Sequence, residues 1–323
     1  MTGCGPVAPS SAPPSTGSAT PSPTTSPSLE PASPTTAASR AWAAVQAVIL
    51  PARLPTGLSR AVAIALDDRI GVYGGFASTG STTGQILAFD PATGQVSAAG
   101  TLAVPVHDAA GVALGGGVTV FGGGSGAPTS LVQRVDAQGL ARAVGNLPTP
   151  RADLSAVAIG DSAFVLGGGA SGLLPAEVVA TEDGMQFRVV GTLRSGVRYA
   201  AAAETGGLIY LVGGAAADGE IADIQRFDPA TGEVELIGHM PNPISHASAM
   251  VLDSRIFVVG GRSGGLAQDA IWQVDPVTGA SRLAGHLPQP ASDFGLAVIG
   301  GVGYAIGGET DTPVATIVAI VVE

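Results

Sequence analysis

Ile256-Phe257-Val258-Val259-Gly260-Gly261 reads as a strand buried on both faces that stops where the backbone has to turn. Three of its four apolar residues are β-branched, and no polar residue alternates with them. The glycine doublet then permits a conformation that a side chain would resist. The same ending returns at Gly74-Gly75, Gly122-Gly123, Gly167-Gly168, Gly213-Gly214 and Gly307-Gly308, at steps of 48, 45, 46, 47 and 47 residues. A second series, Leu54, Leu102, Leu147, Leu193, Met240 and Leu287, keeps those steps. Two landmarks sharing one period identify a repeated unit.

Each unit reads as four strands. The first is rich in small residues, as in Ala200–Thr205, and the second is the bulky run into the doublet. A variable loop and a third strand follow, ending at Asp90, Asp136, Asp228 or Asp275. Asp90-Pro91-Ala92-Thr93-Gly94 and its copies at 228–232 and 275–279 then turn the chain into the fourth strand. Asp suits the first turn position, Pro fixes φ at the second, and Gly accepts the left-handed one. The third unit offers Thr181-Glu182-Asp183-Gly184 in place of that turn. Four-stranded antiparallel units of this length, repeated six times, predict an all-β, six-bladed β-propeller. The last doublet is followed by one strand only, so Val45–Arg53 is expected to supply the sixth blade's fourth strand. Pairing it with the C-terminal strand would close the ring.

Doublet glycines closing the second strand, at a period near 47, resemble kelch repeats over residues 45–323. The family's Tyr on the third strand and the Trp about six residues later are replaced here, for example by Phe89 and Val96. The resemblance implies a kelch-type propeller, a fold that hosts binding modules as well as enzymes. One of those enzymes is a copper radical oxidase, whose site needs Tyr, His and a Cys cross-linked to Tyr. This domain has no Cys, and His239 and His286 fall on separate outer strands, so no metal or other cofactor is expected.

Composition narrows the partners. The 323 residues carry 14 basic side chains, all Arg, against 25 acidic ones, for a net charge of −11. Nucleic acid needs a basic footprint and is excluded, as is electrostatic docking on anionic lipid. A single cysteine excludes internal disulfides and Cys-based zinc sites. Residues 1–39 hold nine Pro, nine Ser and seven Thr and read as a disordered stalk. Thr2-Gly3-Cys4-Gly5 resembles the end of a bacterial lipoprotein signal, which implies lipidation of Cys4, an upstream signal in the full gene and an extracytoplasmic location at the cell surface or in the periplasm. Residues 40–323 form the propeller, expected to be monomeric, with the membrane reached only through that anchor.

Candidate chemistry is sparse. Asp67-Asp68, Glu182-Asp183 and Asp253 lie on turns, where acids mark solvated hairpins. Glu204 ends a first strand where the other units have Ala or Val, and reads as a solvated strand end or a channel-facing acid. One slot varies: six residues past each Leu/Met landmark stand Arg60, Asp108, Asp153, Tyr199, His246 and Asp293. His107, Arg151 and Arg198 lie nearby, and Arg262 follows a doublet. Antiparallel geometry puts the loops after the second and fourth strands at one end, so these ten residues form a candidate binding face at the channel mouth. The leading expectation is a non-catalytic module binding a protein or glycan. The alternative is a carbohydrate-active enzyme resembling the kelch sialic acid mutarotase.

Overall fold

Small side chains on the first strand of each unit let six such strands crowd around one axis, while the bulkier second strands fill the space between sheets. The computed structural model describes Met1, Gly3, Gly5 and residues 41–323; the stalk and Cys4 lie outside these. All six four-stranded sheets among the described residues are antiparallel, and five of them take their strands in chain order. The fifth is representative: Ser248–Leu252, Arg255–Val259, Ala270–Val274 and Ser281–His286. In the sixth, Gly295–Ile299, Val302–Ile306 and Thr316–Val322 are completed by Val45–Arg53, which pairs with the C-terminal strand from Val45↔Val322 to Arg53↔Thr316. No helix long and apolar enough to cross a membrane occurs among the described residues.

The core lies between neighbouring sheets. Phe257, Val259 and Ile271 of the fifth pack with Ala305, Val318 and Ile320 of the sixth and with Val45. Ile70, Val72 and Phe89 of the first pack with Tyr304, Ile306 and Ile317 of the sixth. Each interface is apolar and closely filled, so burial of aliphatic area is the main term holding adjacent sheets together.

Two circuits of hydrogen bonds join the sheets at one end. The second glycine of every doublet donates to a carbonyl of the next sheet's linker: Gly75 to Val106, Gly123 to Arg151, Gly168 to Val197, Gly214 to Ile244, Gly261 to Ala291 and Gly308 to Leu58, all at 2.8–2.9 Å. Gly308 to Leu58 links the last sheet to the first, so this circuit closes. The second circuit runs through the variable slot and is described below.

The turn of the third unit forms without its Pro. Thr181 Oγ1 accepts the Gly184 N–H at 2.8 Å, and Asp183 Oδ1 accepts those of Met185 and Gln186 at 2.7 and 2.8 Å. Gly184 still holds the left-handed position at φ 74°. Glu204 accepts the Gly207 N–H at 2.9 Å, which makes it a turn cap at the end away from the slot residues.

Candidate functional site

All six slot residues are left-handed, with φ between 54° and 61°. That conformation is unusual for non-glycine residues, and Asp tolerates it best because its short side chain bonds to nearby backbone. It turns the N–H of each toward the preceding slot's carbonyl. Asp108 donates to Arg60, Asp153 to Asp108, Tyr199 to Asp153, His246 to Tyr199, Asp293 to His246 and Arg60 to Asp293, at 2.7–3.1 Å. Six residues from six sheets thus form a closed ring around the channel, and strain at each is repaid by an inter-sheet hydrogen bond. Below the ring lies a cavity of about 220 Å³ lined by all six inner strands, chiefly by Ala.

The residue before each slot pairs with the residue after its own sheet's doublet: Ser59 with Phe76, His107 with Gly124, Ala152 with Gly169, Arg198 with Ala215, Ser245 with Arg262 and Ser292 with Glu309. This pairing brings both loop sets to one end, and it splits the mouth into two unlike halves.

One half is saturated with internal contacts. Glu309 accepts from Ser59 Oγ at 2.7 Å, from Arg60 Nε at 2.9 Å and from Arg262 Nη2 at 3.4 Å. Arg262 Nε also donates to Ser292 Oγ at 3.0 Å, and Ser292 Oγ donates to Asp293 at 2.7 Å. Burial alone would raise the Glu309 carboxyl, but the hydrogen bonds from Ser59 and Arg60 hold it below its ordinary value. His246 stacks on Tyr199 with ring centroids 3.7 Å apart. Burial, with Arg262 and Arg60 adding to it, pushes its imidazole down to about 4, so the ring is neutral at physiological pH.

The other half is open. A cleft of about 690 Å³ is lined by Phe76, Ser81, Thr82, Pro105, His107, Asp108, Asp153, Tyr199 and the 124–128 loop. Thr82 Oγ1 and His107 Nδ1 are 2.8 Å apart, and Phe76 meets His107 edge-on. Arg60 Nη1 lies 3.6 Å from Asp108, and Arg198 Nη1 lies 3.7 Å from Asp153. Burial pushes the Asp108 carboxyl up to about 7, with Asp153 adding to the rise. Asp153 is raised, and Asp293 reaches about 6, both chiefly by burial. At neutral pH Asp108 can therefore both accept and donate a hydrogen bond.

A raised carboxyl keeps its proton in the native state where the unfolded chain has lost it, so its effect on stability worsens as pH climbs from about 4 to about 7. His246 acts oppositely between about 4 and 6.5, because there the unfolded chain binds the extra proton. Asp108→Asn isolates the first effect, since Asn also tolerates the left-handed backbone. The variant is expected to melt close to the parent near pH 4 and above it at pH 8, by at least about 1 kcal/mol of stability. A gap that does not widen with pH would contradict the burial of that charge.

Nine of the ten residues expected at the face do gather there. Arg151 does not: it is 1% exposed and donates to the carbonyls of Gly167 and Glu177, both at 3.1 Å. Its position is the linker position two residues before the slot, filled elsewhere by Leu58, Val106, Val197, Ile244 and Ala291. It is a buried structural arginine, and counting back from the slot would have shown it. Glu309, on the loop after the last doublet, is central to the site through Ser59 and Arg60, some 250 positions away. His239 and His286 pair with Asp223 and Asp269 on separate strands. Among the described residues, no group of three or more His, Cys, Asp and Glu side chains could hold a metal ion.

No curated protein matches this sequence. The solved structure of YjhT shares the fold at a TM-score of 0.73, covering 84% of this chain and 98% of that one at 14% sequence identity, a likeness of fold. The family model for the Kelch motif matches residues 243–286, which span the fifth sheet. Carrying that motif within repeated four-stranded antiparallel sheets, the chain is a kelch-type β-propeller.

Proposed function

We propose that the protein is a binding module whose open half-mouth takes a polyhydroxylated ligand, a glycan. The observation that carries this reading is the composition of the cleft. Tyr199, stacked on His246, and Phe76 line it with aromatic rings, and Asp108, Asp153, Thr82 and Ser81 offer hydrogen-bonding groups of both senses. Sugar hydroxyls donate and accept at once, so a carboxyl that can do either at neutral pH suits them. In a screen of neutral and acidic oligosaccharides, Asp153→Asn or Tyr199→Ala should weaken any hit by about 1–3 kcal/mol. Thr231→Ala, in a hairpin at the opposite end, should leave it unchanged. No hit in the screen, or sensitivity confined to Thr231, would refute the reading.

A second reading, a sugar epimerase, draws support from Asp108 alone: an acid with its carboxyl near 7 beside His107 is matched to proton transfer at neutral pH. Anomer exchange of a free sugar, followed by NMR, separates turnover from binding. The companion proposal is that the module is displayed outside the cytoplasm on residues 1–39, lipidated at Cys4. Cys4→Ala should then shift the protein from membrane to soluble fractions, and unchanged fractionation would count against the anchor.

A further inference from the structure

Each guanidinium at the mouth is already matched to an acid. Arg198 faces Asp153, Arg60 lies between Asp108 and Glu309, and Arg262 lies between Asp293 and Glu309. The arrangement around Glu309 is that of an occupied anion site. Two arginines and the Ser59 hydroxyl converge on one carboxylate, the donor set that recognises a carboxylate or phosphate ligand. The occupant is a residue of this chain. Glu309 is only 8% exposed, and its backbone is tied to Ser292 by reciprocal hydrogen bonds of 2.7 and 2.9 Å.

We propose that Glu309 is a specificity-determining residue: by filling the clamp of Arg60, Arg262 and Ser59 it closes the mouth to anionic ligands and reserves it for uncharged ones. An incoming carboxylate would have to displace a carboxylate held by three side chains, or sit beside it with no unpaired cation to offset the repulsion. Neutral hydroxyls meet no such barrier in the open half, where acceptors predominate. This inference rests on the reading of the mouth as the binding site and names its ligand class.

Acetate and inorganic sulfate are the probes, because they test the clamp without any sugar. Isothermal titration of Glu309→Ala is expected to show saturable acetate binding at least tenfold tighter than the parent. Adding Arg262→Ala to that variant should abolish the gain. Glu309→Gln removes the charge but keeps an acceptor for Ser59, and its expected gain is smaller but measurable. Because it preserves the packing, it stands in if the alanine variant fails to fold. Acetate binding by the parent as tight as by the variants would overturn the proposal, as would a folded variant that gains none. The oligosaccharide screen on the parent is read separately. Neutral hits support the ligand class, and a preference for acidic sugars overturns it. No hit at all defeats the binding reading, while the acetate titrations still decide whether Glu309 blocks an anion site.

Discussion

Removing residues 40–53 is expected to abolish cooperative folding, whereas removing residues 1–39 should leave the melting temperature unchanged. The strand Val45–Arg53 is the outer strand of the sixth sheet, and its loss would leave Thr316–Val322 as an open edge. It would also uncover Val318 and Ile320, which pack against Val45, Ala47 and Ile49. The damage reaches the fifth sheet: buried Gln273 accepts the Ala43 N–H at 2.8 Å and donates to Ala41 O. Several apolar side chains and a strand's worth of hydrogen bonds add up to about 5 kcal/mol or more, comparable with the whole stability of an ordinary domain. Residues 1–39 have too little apolar content to contribute on that scale. Thermal unfolding of the two truncations gives the comparison, and equal midpoints would contradict it.

The second large effect is expected at the doublets. A Cβ on Gly213 would stand 2.1 Å from Ile244 O, and one on Gly307 would stand 2.1 Å from Leu58 O. Both carbonyls accept the inter-sheet bond from the next glycine, Gly214 or Gly308. Gly213→Ala or Gly307→Ala must therefore pry neighbouring sheets apart as well as hold alanine at positive φ. A loss of at least about 3 kcal/mol is expected in denaturant unfolding. Gly116→Ala is the control: its φ is 76°, but nothing lies within 4 Å of the added Cβ, so only the conformational cost of about 1 kcal/mol applies. Equal losses at Gly116 and Gly213 would show that the close approach does not matter.

The strand plan was legible in the sequence because local chemistry sets it. The turn after Asp275 illustrates this: Asp275 Oδ1 accepts the N–H groups of Val277 and Thr278, both at 2.9 Å, within four residues of chain. The slot was visible as a variable polar position, but its cause was not. Three aspartates and His246 hint at a left-handed backbone; Arg60 and Tyr199 have no such preference, and they occupy it because the inter-sheet ring demands it. A third landmark went unread although it was present. Gly100, Gly145, Gly191, Gly238 and Gly285 stand two residues before the Leu/Met series. There a Cβ on Gly145 would meet Gly184 O of the next sheet's turn at 2.4 Å, and one on Gly238 would meet Gly279 O at 2.6 Å. The division of the mouth was beyond reach, since pairs such as Ser59 and Glu309 come together only when the chain's two ends do.

Closure of the circuit is the claim on which the rest depends, because the ring both joins the sheets and shapes the mouth. Native-state hydrogen exchange at the amides of Arg60, Asp108, Asp153, Tyr199, His246 and Asp293 tests it most directly. Each donates to a neighbouring sheet, so none can open without breaking the circuit. All six are expected to be protected together, at or near the free energy of global unfolding. Fast exchange at Arg60, whose amide donates to Asp293, with the other five protected would place an open seam between the first and sixth sheets and contradict a closed ring.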